Sequence, residues 1–294
     1  MKNLKWIILI VLSLIWGSSF ILMKRGMEAF TSEQVAALRI GLAYIFLLPF
    51  LIKYYSINLK KYWKGLLGMG IFGNLIPAFL FTKAETGISS SLAGMLNALT
   101  PLFTIMVGWV AFKHRSNIFQ IIGILIGLGS AILLVYFDSH SGHERNNNIK
   151  YAMLVVAATF CYAISVNMIR KFLHDMNSTR ATVWAFMFTG PIALIYLFST
   201  NFFEVLNHHP KALSSLGYAA ILGVVGSALS VIAFNELIKM SNPVFASTTT
   251  YLIPVVAVFW GLMDGEIITS IQVFSIAIIL AAIWLINFSR KLKL

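Results

Sequence analysis

Arg39 stands inside an apolar run, 34–53, and carries a charge that no cellular pH removes. A permanent cation in such a run can anchor the carboxylate or phosphate of a solute. It can equally snorkel to the nearer membrane surface or cap the carbonyls of a broken neighbouring helix. Other polar residues recur in apolar runs: Ser19, Asn74, Asn97, Thr100, Asn167, Asn235 and the stretch Thr248–Tyr251, which includes Thr249 and Tyr251. Their amides and hydroxyls can bond an amino-acid-like solute, or tie helices together at about 0.6 kcal/mol per contact. Trp16, Tyr162 and Trp184 have the shape to line a cavity and stack on apolar or aromatic solutes. Trp6 and Trp63 sit beside basic residues and read as interfacial anchors.

Three prolines lie among these groups. Asn97 and Thr100 adjoin Pro101, and the threonine run precedes Pro254. A proline removes one backbone donor and frees a carbonyl upstream, so each pair predicts a bend next to polar side chains. Pro77, near Asn74, predicts a third bend, and its counterpart in the second half of the chain is Ser230, so this bend is not expected to repeat.

The absences narrow the chemistry. No Asp or Glu falls near the centre of an apolar run; Glu85, Glu236, Asp264 and Glu266 lie at ends. Proton coupling would then need Glu236 or a histidine, yet His114, His140, His143, His174, His208 and His209 all fall in connections. No phosphate-cradling glycine loop and no Gly-x-Ser-x-Gly elbow occurs. Cys161 is the single cysteine, so there is neither an internal disulfide nor a Cys/His metal spacing; no cofactor and no metal is expected.

The elements that position these groups follow from composition. The 294 residues are 59% apolar and only 11% charged, against about 25% charged in soluble domains. A water-soluble globule of this size could not bury so much apolar side chain, and disorder requires the opposite composition. Ten windows are long and apolar enough to cross a bilayer as helices: 5–23, 34–53, 65–83, 90–112, 117–137, 150–169, 181–199, 213–235, 244–263 and 269–289. None alternates as barrel strands do. The first, although signal-like, runs on to Met23 and is read as an uncleaved span.

The net charge of +12 would suggest nucleic acid in a soluble protein. Here the basic residues cluster between apolar runs, which makes them a topology signal and excludes a nucleic-acid face. With the N-terminus in the cytoplasm and ten spans, 15 of the 22 Lys/Arg fall on the cytoplasmic side and 6 on the other. Both termini are therefore expected in the cytoplasm.

The chain also repeats. An offset of 153 aligns Gly70 with Gly223, Gly73 with Gly226, Phe81 with Phe234, Ala93 with Ala246, Pro101 with Pro254 and Gly108 with Gly261. An offset of 146 aligns Trp16-Gly17 with Tyr162-Ala163 and Lys24 with Arg170. Two five-helix units follow, 1–137 and 150–294, joined by the polar connection 138–149. Five is odd, so the units enter the membrane in opposite senses: an inverted repeat, able to rock about a shared central site. Gly123 and Gly127 form a GxxxG for close helix contact, within the chain or in a homodimer.

Trp16-Gly17-Ser18-Ser19-Phe20 with Lys24, Ala93 with Leu99-Thr100-Pro101, and Pro254 with Gly265-Glu266 and Gln272 resemble the EamA-domain transporters of the drug/metabolite transporter superfamily. The likeness covers nearly the whole chain. It implies ten helices around a central cavity and movement of a small metabolite such as an amino acid, export being the implied direction. One departure stands out. The first unit has Phe112-Lys113 where the second has Gly265-Glu266, which speaks against Glu266 as half of a symmetric pair. The expected partners are the lipid bilayer and a small solute. A membrane-embedded enzyme or lipid-handling protein on the same frame is the rival, and it would need a catalytic cluster at one membrane face. A structural subunit of a larger complex is a third possibility.

Overall fold

The computed structural model describes residues 2–112, 118–139, 149–241, 245–246 and 248–291. Among them there are helices and turns and no strands. The chain runs through α1 (Lys2–Gly26), α2 (Ser32–Tyr54), α3 (Leu59–Gly70), a π turn (Ile71–Leu75), α4 (Ile76–Ala84), α5 (Ser90–Asn97), α6 (Thr100–Val110) and α7 (Ile118–Ser139). It continues through α8 (Ile149–Phe172), α9 (Ser178–Phe198), α10 (Phe202–His208), α11 (Ala212–Gly223), a second π turn (Val224–Leu229) and α12 (Ser230–Met240). A 3₁₀ turn (Thr248–Tyr251), α13 (Ile253–Met263) and α14 (Ser270–Lys291) complete it.

Eight helical stretches among the described residues are long and apolar enough to span a membrane; Thr248–Met263 and Ser270–Ala282 are apolar but shorter. The outward faces fit that solvent: Ile195 is 72% exposed and Leu213 79% exposed. In water such side chains would be a liability; in lipid they cost nothing. Starts of helices are set by caps. Thr31 and Gln34 make a reciprocal capping box before α2, and Thr269 and Gln272 make another before α14. The role of Gln272 is thereby a helix cap.

Three helices are interrupted. The first π turn gives up an ordinary i→i−4 bond, and the amide of Asn74 takes the Met69 carbonyl at 3.0 Å. At the second π turn, Ser230 Oγ takes the Val225 carbonyl at 2.6 Å and the Trp16 indole takes that of Gly226 at 3.0 Å. So the irregularity does recur in the second half, contrary to the expectation that placed it on Pro77 alone. Ser230 supplies by hydrogen bonding what Pro77 supplies by lacking a donor. The third break lies between α5 and α6, with Pro101 in the first turn of α6; Pro254 sits likewise in the first turn of α13, after the 3₁₀ turn.

The packing brings distant segments together. α2 lies along α9, α7 along α14, α4 and α6 along α8, α5 along α13, and α1 between α11 and α13. Close crossings use small residues. A Cβ on Gly70 would meet the Ala185 carbonyl oxygen at 2.8 Å, and one on Gly223 would meet that of Arg39 at 2.9 Å. Gly127 presses on Leu102 of α6, so this part of the GxxxG is used inside the chain. The connection after α9 holds an unanticipated short helix, α10, whose Phe202 and Phe203 stack with Phe30 and Phe198. The polar connection 138–149 and the residues His114, His140 and His143 lie almost wholly outside the described residues.

Candidate functional site

The interrupted helices surround a partly enclosed cavity. α1, α2, α4, α8, both π turns, the α5–α6 break and the start of α13 all contribute wall. Nine of the polar and aromatic residues singled out by sequence line it: Trp16, Ser19, Arg39, Asn74, Asn97, Thr100, Tyr162, Asn235 and, from the threonine run, Thr250. Four others point elsewhere. Asn167 ties α8 to α6 through the Thr104 carbonyl at 3.0 Å. Trp184 donates to the Tyr54 carbonyl at 2.9 Å and packs on Phe188. Thr249 bonds the Ala246 carbonyl at 2.7 Å, while its own carbonyl accepts from Ser13 at 2.8 Å. Tyr251 packs against the largest apolar core cluster. Of the three prolines, none is on the wall; each starts a helix that supplies wall residues or their neighbours.

Arg39 is the single charged side chain among the described residues of the wall. Its side chain is held by an Nε–H bond to Ser227 Oγ at 2.8 Å, and Nη1 lies 4.0 Å from Met23 Sδ. Among the described residues no Asp or Glu forms an ion pair with it. Taking a guanidinium out of water without a counter-ion is costly, so the site is electrostatically incomplete until an anion or water fills it. Ser227 was not visible as a partner in the sequence; it belongs to the second π turn, 188 residues away.

The remaining wall is aromatic with a polar band. Trp16 meets Phe234 edge-on at 5.1 Å, Phe20 meets Phe81 edge-on at 5.7 Å, and Phe81 stacks on Tyr162 at 5.9 Å. At the α5–α6 break the Thr100 hydroxyl donates to the Asn97 carbonyl at 2.8 Å. Asn235 donates to Thr182 Oγ1 at 3.0 Å. Gly73 and Gly226, at the two π turns, keep the wall thin; a Cβ on Gly73 would run into Ser165 Oγ. The arrangement suits an amphipathic solute with one anionic group. Among the described wall residues no Asp, Glu, His, Cys or Lys is present. Among the described residues no three His, Cys, Asp or Glu gather as metal ligands would.

Charges gather at one end of the bundle. Lys24 bonds Asp264 and Glu266, and Arg25 bonds Asp264 and Glu28. Glu266 also accepts the Ser90 and Ser91 amide N–H groups, each at 3.1 Å, and the Ser91 hydroxyl at 2.5 Å. It thus supplies both charge and acceptors to the N-terminus of α5. What aims it there is local. α13 ends with Gly265 at φ +82°, with Gly265 N–H bonded to the Leu262 carbonyl and Glu266 N–H to that of Gly261. This is the left-handed cap that glycine makes cheaply. Outside the spans, hydrogen bonds from Lys211 and Arg25 hold the Glu28 carboxyl below its usual range.

Against known proteins, the model of the EamA-like transporter family matches residues 4–136 and again 149–288. The "Uncharacterized inner membrane transporter YedA" of Escherichia coli K12 is 27% identical over 97% of this chain and 90% of its own length. The "Probable amino-acid metabolite efflux pump" of Salmonella typhimurium is 22% identical over 95% of this chain and 93% of its own. A solved crystal structure superposes over 100% of both chains with a TM-score of 0.65 at 14% identity, a likeness of fold. Family match and apolar helices together make this chain a member of the EamA-like transporter family and a multi-pass membrane protein.

Proposed function

We propose that this chain exports a small metabolite with an anionic group, an amino acid foremost, across the cytoplasmic membrane by alternating access. The observation that carries the reading is Arg39, a buried cation with no acidic partner among the described residues, on the wall of an aromatic cavity. A solute carboxylate completes it, and the rings accept the apolar part. The name of the Salmonella relative agrees with that solute class.

The frame of this proposal is ten spans in two inverted units, 1–137 and 150–294, joined by 138–149, with both termini cytoplasmic. Several correspondences support it. The two π turns begin one residue after the aligned glycines Gly70 and Gly223. Those glycines cross α9 and α2 at Ala185 and Arg39, positions related by the other offset. Ser19 and Ser165, again so related, face Gly226 and Gly73. Equivalent contacts made twice are what a repeated unit requires. One chain builds the whole cavity, so transport in this reading needs no second copy, no cofactor and no catalytic group.

The test is flux. Purified protein in liposomes should carry labelled amino acids with saturation. Arg39→Ala should weaken apparent affinity by about 10²-fold, the size of a lost charged hydrogen bond, and Arg39→Lys should recover only part of it. Unchanged affinity in both variants makes Arg39 structural, and a broad solute panel without saturable flux removes the transport reading for these solutes. Reporter tags on the two termini should both read cytoplasmic; opposite sides would break the ten-span frame.

A further inference from the structure

We propose that Glu85 is a proton-binding site at the Lys24–Glu266 end of the bundle, loaded when α1, α4, α5 and the turn after α13 close over it and emptied when that end opens. Sequence position makes Glu85 look like a solvated end-of-span carboxylate. The structure buries it. Its side chain follows α4, with its backbone N–H on the Phe81 carbonyl at 3.0 Å, one turn from a cavity-wall residue, and the residue is only 7% exposed. Oε2 has the Ser90 hydroxyl at 3.5 Å, a weak contact, and Oε1 has no hydrogen-bond partner among the described residues.

The surrounding groups are already engaged. From α1, Lys24 is held by Asp264 and Glu266. From α2, Arg39 gives its Nε–H to Ser227; its charge, like that of Lys24, works against protonation of Glu85 but weighs less than burial. From the turn after α13, Glu266 takes two backbone N–H groups, a hydroxyl and Lys24. From α8, the Tyr151 ring packs on Gly87; Lys83, two residues before Glu85, turns out to Glu33 at 2.9 Å. Two carboxylates thus share one buried end on unequal terms. Glu266 has the donors that stabilise an anion, and Glu85 lacks them. Burial, with the charge of Glu266 second, pushes the Glu85 carboxyl well above its usual range. Ionised and closed in, Glu85 would be a buried anion with an orphaned oxygen; protonated, it is neutral and can donate.

Opening reverses the balance. If α5 and the turn after α13 part from α1, water reaches Glu85, and a hydrated carboxyl gives its proton back to the medium. The closed and open states then differ by one bound proton, taken from water and returned to it. By linkage, acid favours closure of this end and alkali its opening. That this proton drives a solute rests on the transport reading; that Glu85 binds it does not.

The first test needs no solute. Infrared difference spectra of the purified full chain, taken across a pH series, should show a protonated carboxyl band that persists well above pH 4.5 and is lost in Glu85→Gln. A second measurement follows the opening. In a Cys161→Ala background, Ile88→Cys, which replaces a residue 2% exposed, should react with a maleimide faster as pH rises, relative to Thr86→Cys as an exposed control. Adding Glu85→Gln, a neutral mimic of the loaded form, should abolish that relative rise. An unchanged band in Glu85→Gln, or no such band in the wild type, overturns the proton site. A relative rise that survives Glu85→Gln overturns the link to opening. In liposomes, flux that ignores an imposed pH gradient equally in wild type and Glu85→Gln overturns coupling while leaving transport standing. Absence of all flux instead removes the transport reading and leaves the spectra to decide the site.

Discussion

The two ends of the bundle are closed by different physics. At the Lys24 end, α1, α5 and the turn after α13 meet through charges that are largely withdrawn from water: the side chains of Lys24, Asp264 and Glu266 are 23%, 10% and 8% exposed. At the opposite end, α3, α8, α9 and α12 close over an apolar cluster that includes Leu12, Leu66, Leu173 and Leu237. The ionic contact there, Lys61 with Asp175, is 55% and 35% exposed and stands outside the seal. Apolar packing is tolerant and insensitive to pH. Desolvated charge is strong only while every partner is present, and it fails as a unit when one leaves. The charged end is the one built to respond to protons, and the greasy end is the one built to hold.

The largest effect should come from Glu266→Ala. It strips two helix N–H groups and the Ser91 hydroxyl of their acceptor and leaves Lys24 with Asp264 alone; orphaned buried donors at about 1–3 kcal/mol each make this the largest loss. The thermal midpoint in detergent should drop steeply, and cysteines placed near Ser90 should become reactive. A small shift would show that the charged cluster is decoration and that the two ends do not differ. Next comes Gly261→Ala. Its new methyl would collide with the Ser91 hydroxyl and approach Glu266 Oε2 at 2.5 Å, so overpacking of about 1–3 kcal/mol is expected. The same change at Gly217, where nothing lies within 4 Å of an added Cβ, should be neutral or slightly stabilising in the same thermal assay.

How much of this was readable beforehand follows the range of each interaction. Eight of the ten expected spans were legible because twenty apolar residues in a row are a local property, and the breaks at Pro101 and Pro254 because proline acts within one turn. Position along the helices was legible too: Asn74, Asn97 and Asn235, each near the middle or a break of its apolar run, fall on the cavity wall. Direction around the helix axis was not. Asn167, Trp184, Thr249 and Tyr251 sit in spans yet face other helices. Glu266 looked like a lone end-of-span acid, since its partners Ser90 and Ser91 lie about 175 positions earlier. Glu85 misled for the same reason: only the packing of α5 and the distant turn takes it out of water. The second π turn had no proline to announce it, and Ser230 became its signal only once the Val225 carbonyl was seen to need a donor.

The smaller effects belong to the opposite end. Ser178→Ala removes the hydroxyl that donates to Glu236 at 2.5 Å; Glu236 is exposed and can turn to water, so a loss of about 0.5–1 kcal/mol is expected, read as a modest drop in midpoint. Smallest is Lys61→Ala. Lys61 bonds Asp175 at 2.5 Å and holds that carboxyl below its usual range, with Tyr62 adding a second donor at 3.0 Å. A lowered carboxyl stabilises the fold above its unfolded value near 3.8 and loses that contribution as pH falls through the lower folded value. Any effect of Lys61→Ala therefore belongs to neutral pH and should fade as acid protonates Asp175 at pH values below 3.8. Because the pair is exposed, high salt should already screen it in the wild type. A midpoint that shifts with Lys61→Ala as far as with Glu266→Ala would mean that charge seals both ends alike, and the contrast between them would be lost.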